Sequence, residues 1–109
     1  MADIEAFRKM AMAFPGVTEE PHFEKSSFRI RKKIFVTLDV SAMKACFKFS
    51  EVDQSVFCDF DESIAYPVPN KWGKQGWTFI HIDRVPDSML VDALRTAYTT
   101  VNKVKHAKK

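Results

Sequence analysis

The chain has 109 residues, 46% of them apolar and 28% charged, a composition that excludes wholesale disorder and fits one globular domain over residues 1–109. A chain of this size buries roughly two-thirds of its unfolded surface, enough for a core without covalent staples. The net charge of +3 owes much to the end of the chain: Lys103, Lys105, Lys108 and Lys109 are four of the 17 basic residues, and without them 13 basic groups face 14 acidic ones.

Asp3 is placed to cap a first helix, on which Ile4, Phe7, Ala11 and Phe14 recur at helical spacing until Pro15-Gly16 stops it. Residues 17–27 read as a polar connection in which Pro21 disfavours helix. Strand periodicity begins at Phe28. Phe28 and Ile30 point one way and Arg29 and Arg31 the other. Arg31-Lys32-Lys33 makes a turn, after which Ile34, Val36 and Leu38 continue the core face, with Phe35 and Thr37 opposite. A second turn spans 39–43, and Ala45, Phe47 and Phe49 then alternate with Lys44, Cys46 and Lys48. Three short strands so connected predict an antiparallel meander.

Ser50 opens a middle helix with Asp53 at its third position, a short form of the capping box, and Glu51 and Asp53 suit the positive end of the helix dipole. Val52, Val56, Phe57 and Phe60 are its expected buried stripe. Tyr66-Pro67-Val68-Pro69-Asn70 is an extended, proline-stiffened stretch. A tight turn from Gly73 to Gly76 then leads into a strand over 77–82. One face of that strand carries Trp77, Phe79 and His81, the other Thr78, Ile80 and Ile82. Pro86 and Asp87 start the last helix, with Asp87 as its cap. Leu90, Leu94, Ala97, Val101 and Val104 form its apolar face, with Tyr98 beside them. Its lysine-rich end complements the dipole, and residues 103–109 are expected to fray. The expected fold class is α+β: an antiparallel sheet with N- and C-terminal helices and a middle helix.

There is no apolar run of the ~18 residues that a membrane span needs. The first residues lack the basic and apolar regions of a signal peptide, so the expected location is cytoplasmic. Cys46 and Cys58 fit no metal or redox spacing and are expected as free thiols. No cofactor or metal is implied. His22 with Glu24, or Cys46 with His81, supplies a base and a nucleophile but no orienting third group, and no phosphate-cradling loop is present. The expectation is a protein that is not an enzyme.

Several motifs run in a specific order. Pro15-Gly16-Val17-Thr18-Glu19-Glu20-Pro21-His22-Phe23, Ser27-Phe28-Arg29-Ile30 and Lys33-Ile34-Phe35 resemble the opening of the MmcQ/YjbR family. Tyr66-Pro67-Val68-Pro69, Lys74-Gln75-Gly76-Trp77-Thr78 and the helix through Ala97-Tyr98 resemble its second half. The resemblance covers nearly the whole chain. It implies a small α+β domain of the frataxin-like CyaY arrangement, described as a double wing, and a DNA-binding role with no catalytic residues to carry over. The Arg31-Lys32-Lys33 turn departs from the family pattern in lacking a glycine, which makes its tip more basic.

Charge is segregated along the chain. Residues 25–48 hold Lys25, Arg29, Arg31, Lys32, Lys33, Lys44 and Lys48 against Asp39 alone, whereas 49–70 hold Glu51, Asp53, Asp59, Asp61 and Glu62 and no base. Such asymmetry steers anionic partners. Two candidate nucleic-acid surfaces follow. One is the sheet face opposite the core, where Arg29, Arg31, Lys44 and Lys48, with Thr37 and Cys46, are interleaved with an aromatic platform of Phe35, Trp77, Phe79 and His81; this suits phosphate contact with base stacking. The other is the pair of basic turns at Arg31-Lys32-Lys33 and at Lys71 to Lys74, which suit backbone contact without sequence readout. The competing expectations are that the middle helix or the 61–72 loop covers the aromatics, that the face is a dimer interface, or that it holds a protein or small ligand.

Overall fold

A computed structural model describes residues 3–22, 25–69 and 71–102. In chain order the elements are α1 (Ile4–Met12), β1 (Thr18–His22), β2 (Lys25–Ile30), β3 (Lys33–Asp39), β4 (Lys44–Lys48), α2 (Glu51–Phe60), β5 (Ala65–Pro67), α3 (Lys71–Lys74), β6 (Trp77–His81) and α4 (Asp87–Asn102). The six strands form one antiparallel sheet in the order β1-β2-β3-β4-β6-β5. The fold is α+β.

The helices begin where the sequence provides caps. The Asp3 carboxylate accepts from the Ala6 amide at 2.8 Å, and the Ser50 hydroxyl accepts from the Asp53 amide at 3.1 Å. Pro86, not Asp87, supplies the first helical carbonyl of α4, which accepts from the Leu90 amide; Asp87 is already inside the first turn. Val104 and the basic segment 103–109 lie outside the described residues, as does Glu24.

One face of the sheet is covered and the other is open. On the covered face Phe28, Val36, Phe47 and Thr78 stand in one row across four strands. Phe7 of α1 meets Phe28 and Phe47 edge-on at 5.7 and 6.4 Å. Tyr98 of α4 meets Phe35 edge-on at 5.7 Å. Phe57 of α2 stacks on Phe49 at 4.7 Å. Gln54 of the same helix donates to the Gly73 and Trp77 carbonyls and the Thr78 hydroxyl, so α2 lies in the same layer as α1 and α4.

Four expectations are corrected. First, residues 18–22 are not a connection but the edge strand β1, where Pro21 pairs opposite Ser26. An edge position tolerates a residue with no N–H. Second, Phe35 does not share the open face. The β2–β3 register slips between Phe28↔Val36 and Arg29↔Ile34, leaving Phe35 as the extra residue of a β-bulge. A bulge breaks strict alternation, so Phe35 and Val36 are both fully buried on the helix side and Ile34 moves to the open side. Third, α2 buries no residue completely: Val52, Val56 and Phe60 are 73%, 63% and 53% exposed, and only Phe57 of the expected stripe packs against the core. Fourth, the 73–76 segment is not one glycine turn. Gly73 ends up within α3, pressed against the Val68 carbonyl, and only Gly76, at φ +103°, makes the turn into β6. A Cβ at Gly76 would collide with the Phe49 carbonyl oxygen.

Candidate nucleic-acid interface

The open face is built by register. Lys44 stands opposite His81, Cys46 opposite Phe79 and Lys48 opposite Trp77 across β4 and β6. Tyr66 of β5 stands opposite Phe79 on the other side. These side chains are half-buried, and α2, whose Phe57 stacks on Phe49, packs on the far face of the sheet. The Lys44 ammonium lies 4.1 Å from the centroid of the Phe79 ring, and the Lys48 ammonium 5.9 Å from that of Trp77. Both sit within the range at which a cation is drawn to the ring quadrupole. Tyr66 packs edge-on to Phe79 at 5.8 Å, and its hydroxyl is 2.8 Å from His81 Nε2.

The chemistry of these groups is set by burial. Desolvation pushes the Cys46 thiol up to about 12, so it is protonated at neutral pH. Desolvation lowers the His81 pKa, and Arg84 and Lys44 nearby lower it further. A protonated thiol is not an activated nucleophile, and the ring nitrogen of His81 is engaged by the Tyr66 hydroxyl and not by Cys46, which stands opposite Phe79. Burial also lowers the Cys58 acidity, with Asp59 adding to the effect, and both cysteines are free thiols. Among the described residues no cluster of three histidine, cysteine or acidic side chains is arranged to hold a metal ion, and no helix is long and apolar enough to cross a membrane.

The basic turns converge. The antiparallel register puts the β2–β3 hairpin tip, the end of β4, and the α3-to-β6 turn at the same end of the sheet. Arg31, Lys32, Lys33, Lys71 and Lys74 are all exposed there. Arg31 and Lys32 have φ values of 57° and 70°, the left-handed pair of a two-residue I′-type hairpin turn. Lys48 reaches into this end from the open face and donates to the Gln75 carbonyl, and burial lowers its pKa. A groove of about 400 Å³ opens at the same end, with Lys33, Ile34, Lys48, Gln75, Trp77 and Thr100 among its lining residues.

Arg29 behaves differently. Its Nε donates to the Ser27 hydroxyl at 3.0 Å and lies 3.8 Å from the Glu20 carboxylate, and the Ser27 hydroxyl donates in turn to the Glu20 carbonyl. Arg29 therefore ties β1 to β2 and is partly occupied. The structure thus brings Lys44, Lys48, Trp77, Phe79 and His81 together on one face, gathers the hairpin and α3 lysines at its end, and removes Phe35. Sequence reasoning missed Tyr66, Ile34 and Thr100. Tyr66 had a signal, an aromatic in an extended stretch, but its strand partner lies across α3. Ile34 required the bulge, and Thr100 the docking of α4.

A sequence model of the YjbR family matches residues 12–100. No curated protein matches the chain. Among solved structures, the crystal structure of Deinococcus radiodurans protein DR2400, a DUF419 domain, superposes with a TM-score of 0.83 at 19% identity, covering 94% of this chain and 80% of that one.

Proposed function

The chain belongs to the YjbR family, and from that premise we propose that it is a non-enzymatic DNA-binding module that contacts the phosphate backbone through its basic hairpin end and open sheet face. The observation that carries this reading is the continuity of that surface. Lys44 and Lys48 of β4 lie over Phe79 and Trp77 of β6, and the neighbouring β2–β3 hairpin carries the exposed Arg31, Lys32 and Lys33 at the Lys48 end of the same sheet. Cations release condensed counterions from phosphates, while the aromatic faces between them offer stacking surface. The Cys46 thiol, held protonated by burial, is not an activated nucleophile, which favours a binding role.

The test is a titration of labelled DNA at two salt concentrations. A site of about four phosphates predicts an affinity that falls roughly a hundredfold between about 50 and about 200 mM salt. Arg31→Glu with Lys33→Glu is the informative variant, because both side chains are exposed, whereas Arg29 also holds β1. The double reversal should flatten the logarithmic salt slope by about two. Absence of binding at low salt overturns the reading, and so does a slope that the reversal leaves unchanged.

A further inference from the structure

We infer that the nucleic acid taken by this surface is single-stranded, and that one unpaired base enters the groove at the basic end of the sheet and stacks on Trp77. This inference rests on the DNA-binding reading above and adds the class of substrate. The groove has a volume of about 400 Å³, within the range of pockets that hold small planar ligands. Ile34 and Val101 give it apolar walls, Trp77 a π-surface, and Thr100 and Gln75 polar groups at its margin. Lys33 and Lys48 are the charged residues that line it, and no acidic side chain does. An anion with a planar, largely apolar body matches that lining: the base fits the walls and the adjoining phosphates meet the lysines.

A duplex that stays fully paired does not offer a base to such a site. Its bases are stacked on both faces and paired at their edges, so a base reaches the groove only if it is already unpaired or is extruded at an energetic cost. The Lys48 ammonium lies 5.9 Å from the Trp77 ring centroid and is held by the Gln75 carbonyl at the groove margin. That places a cation beside the stacking surface, in reach of a phosphate flanking the inserted base. Sheet faces that combine aromatic rings with flanking cations hold unpaired bases by this division of labour.

The experiment uses the full chain carrying Trp72→Phe, which leaves Trp77 as the sole indole, and follows its fluorescence. Three probes of equal length are compared at low salt: oligodeoxythymidylate, a blunt duplex, and an abasic strand. The thymidylate strand should quench Trp77 and bind at least about tenfold more tightly than either of the other probes. A second variant, Thr100→Phe, fills the groove from α4 without touching a lysine. It should reduce the preference for the strand over the duplex to near unity while leaving the salt slope intact, with circular dichroism checking the fold. Equal binding of the duplex and the strand without quenching overturns the inference and leaves backbone contact standing. Equal binding of the abasic strand removes the base from the site. A lack of binding by all three probes overturns both readings.

Discussion

Arg31 and Lys32 occupy a backbone conformation that costs a side-chain-bearing residue roughly 1–2 kcal/mol. Both φ values are positive, and the two-residue turn between Ile30 and Lys33 leaves no room to relax them. Asn-Gly is the pair that such a turn favours. Replacing Arg31 with Asn and Lys32 with Gly should therefore stabilise the protein by about 1 kcal/mol in urea unfolding, since the relieved strain outweighs the added freedom of the unfolded chain. The same variant should weaken DNA binding. A loss of stability would mean that the two basic side chains hold the hairpin together. The absence of glycine at this turn was legible in the sequence, and so was its basic tip. The persistence of left-handed geometry without glycine was not, because residue identity alone favours a different turn.

At the scale of the element, alternation carried the reading wherever a strand was regular. Ala45, Phe47 and Phe49 against Lys44, Cys46 and Lys48, and Thr78 and Ile80 against Trp77 and Phe79, stand on the faces their spacing assigns. It failed in three elements for three physical reasons. β1 reads Thr-Glu-Glu-Pro-His and has no apolar alternation, because an edge strand there needs only backbone pairing. β3 contains a bulge, which shifts the face of Phe35 without a signature in composition. In α2, helical spacing identified a stripe but not which side of it faces the sheet. Gln54, with three hydrogen bonds to the α3–β6 region, and Phe57, stacked on Phe49, fix the helix so that Val52, Val56 and Phe60 turn outward. The expected consequence is a split within one helix. Phe57→Ala should cost about 2 kcal/mol, less than a fully buried phenylalanine because Phe57 is only partly covered. Val56→Lys should stay within about 0.5 kcal/mol of the parent, as exposed substitutions do. Denaturant midpoints of the two variants measure this, and an equal loss in both would restore the buried stripe.

At the scale of the molecule, the sheet separates two chemistries. Its covered face takes Phe28, Phe35, Phe47 and Phe49 and the three longer helices, and α2 brings Glu51, Asp53 and Asp59 to the helical layer. Its open face and hairpin end carry Lys44, Lys48, Arg31, Lys32 and Lys33. This polarity is a property of the fold, and the net charge describes it poorly. Deleting residues 103–109 removes four lysines and takes the formal charge from +3 to −1. If net charge drove association, that truncation would abolish binding. A local field behaves otherwise, because at a Debye length of about 10 Å a phosphate senses only the cations near it. The truncated protein should therefore still bind DNA at low salt and still quench Trp77. Its association should be slower, since fewer cations steer the encounter, and its affinity should lie within about tenfold of the parent. Stopped-flow quenching of Trp77 in the Trp72→Phe background separates the two contributions. A reduced association rate with an unchanged dissociation rate assigns the tail to steering and the folded surface to holding. Complete loss of binding on truncation, with the Arg31→Glu and Lys33→Glu protein still binding normally, would transfer the interaction to the tail and leave the aromatic face of the sheet without a nucleic-acid role.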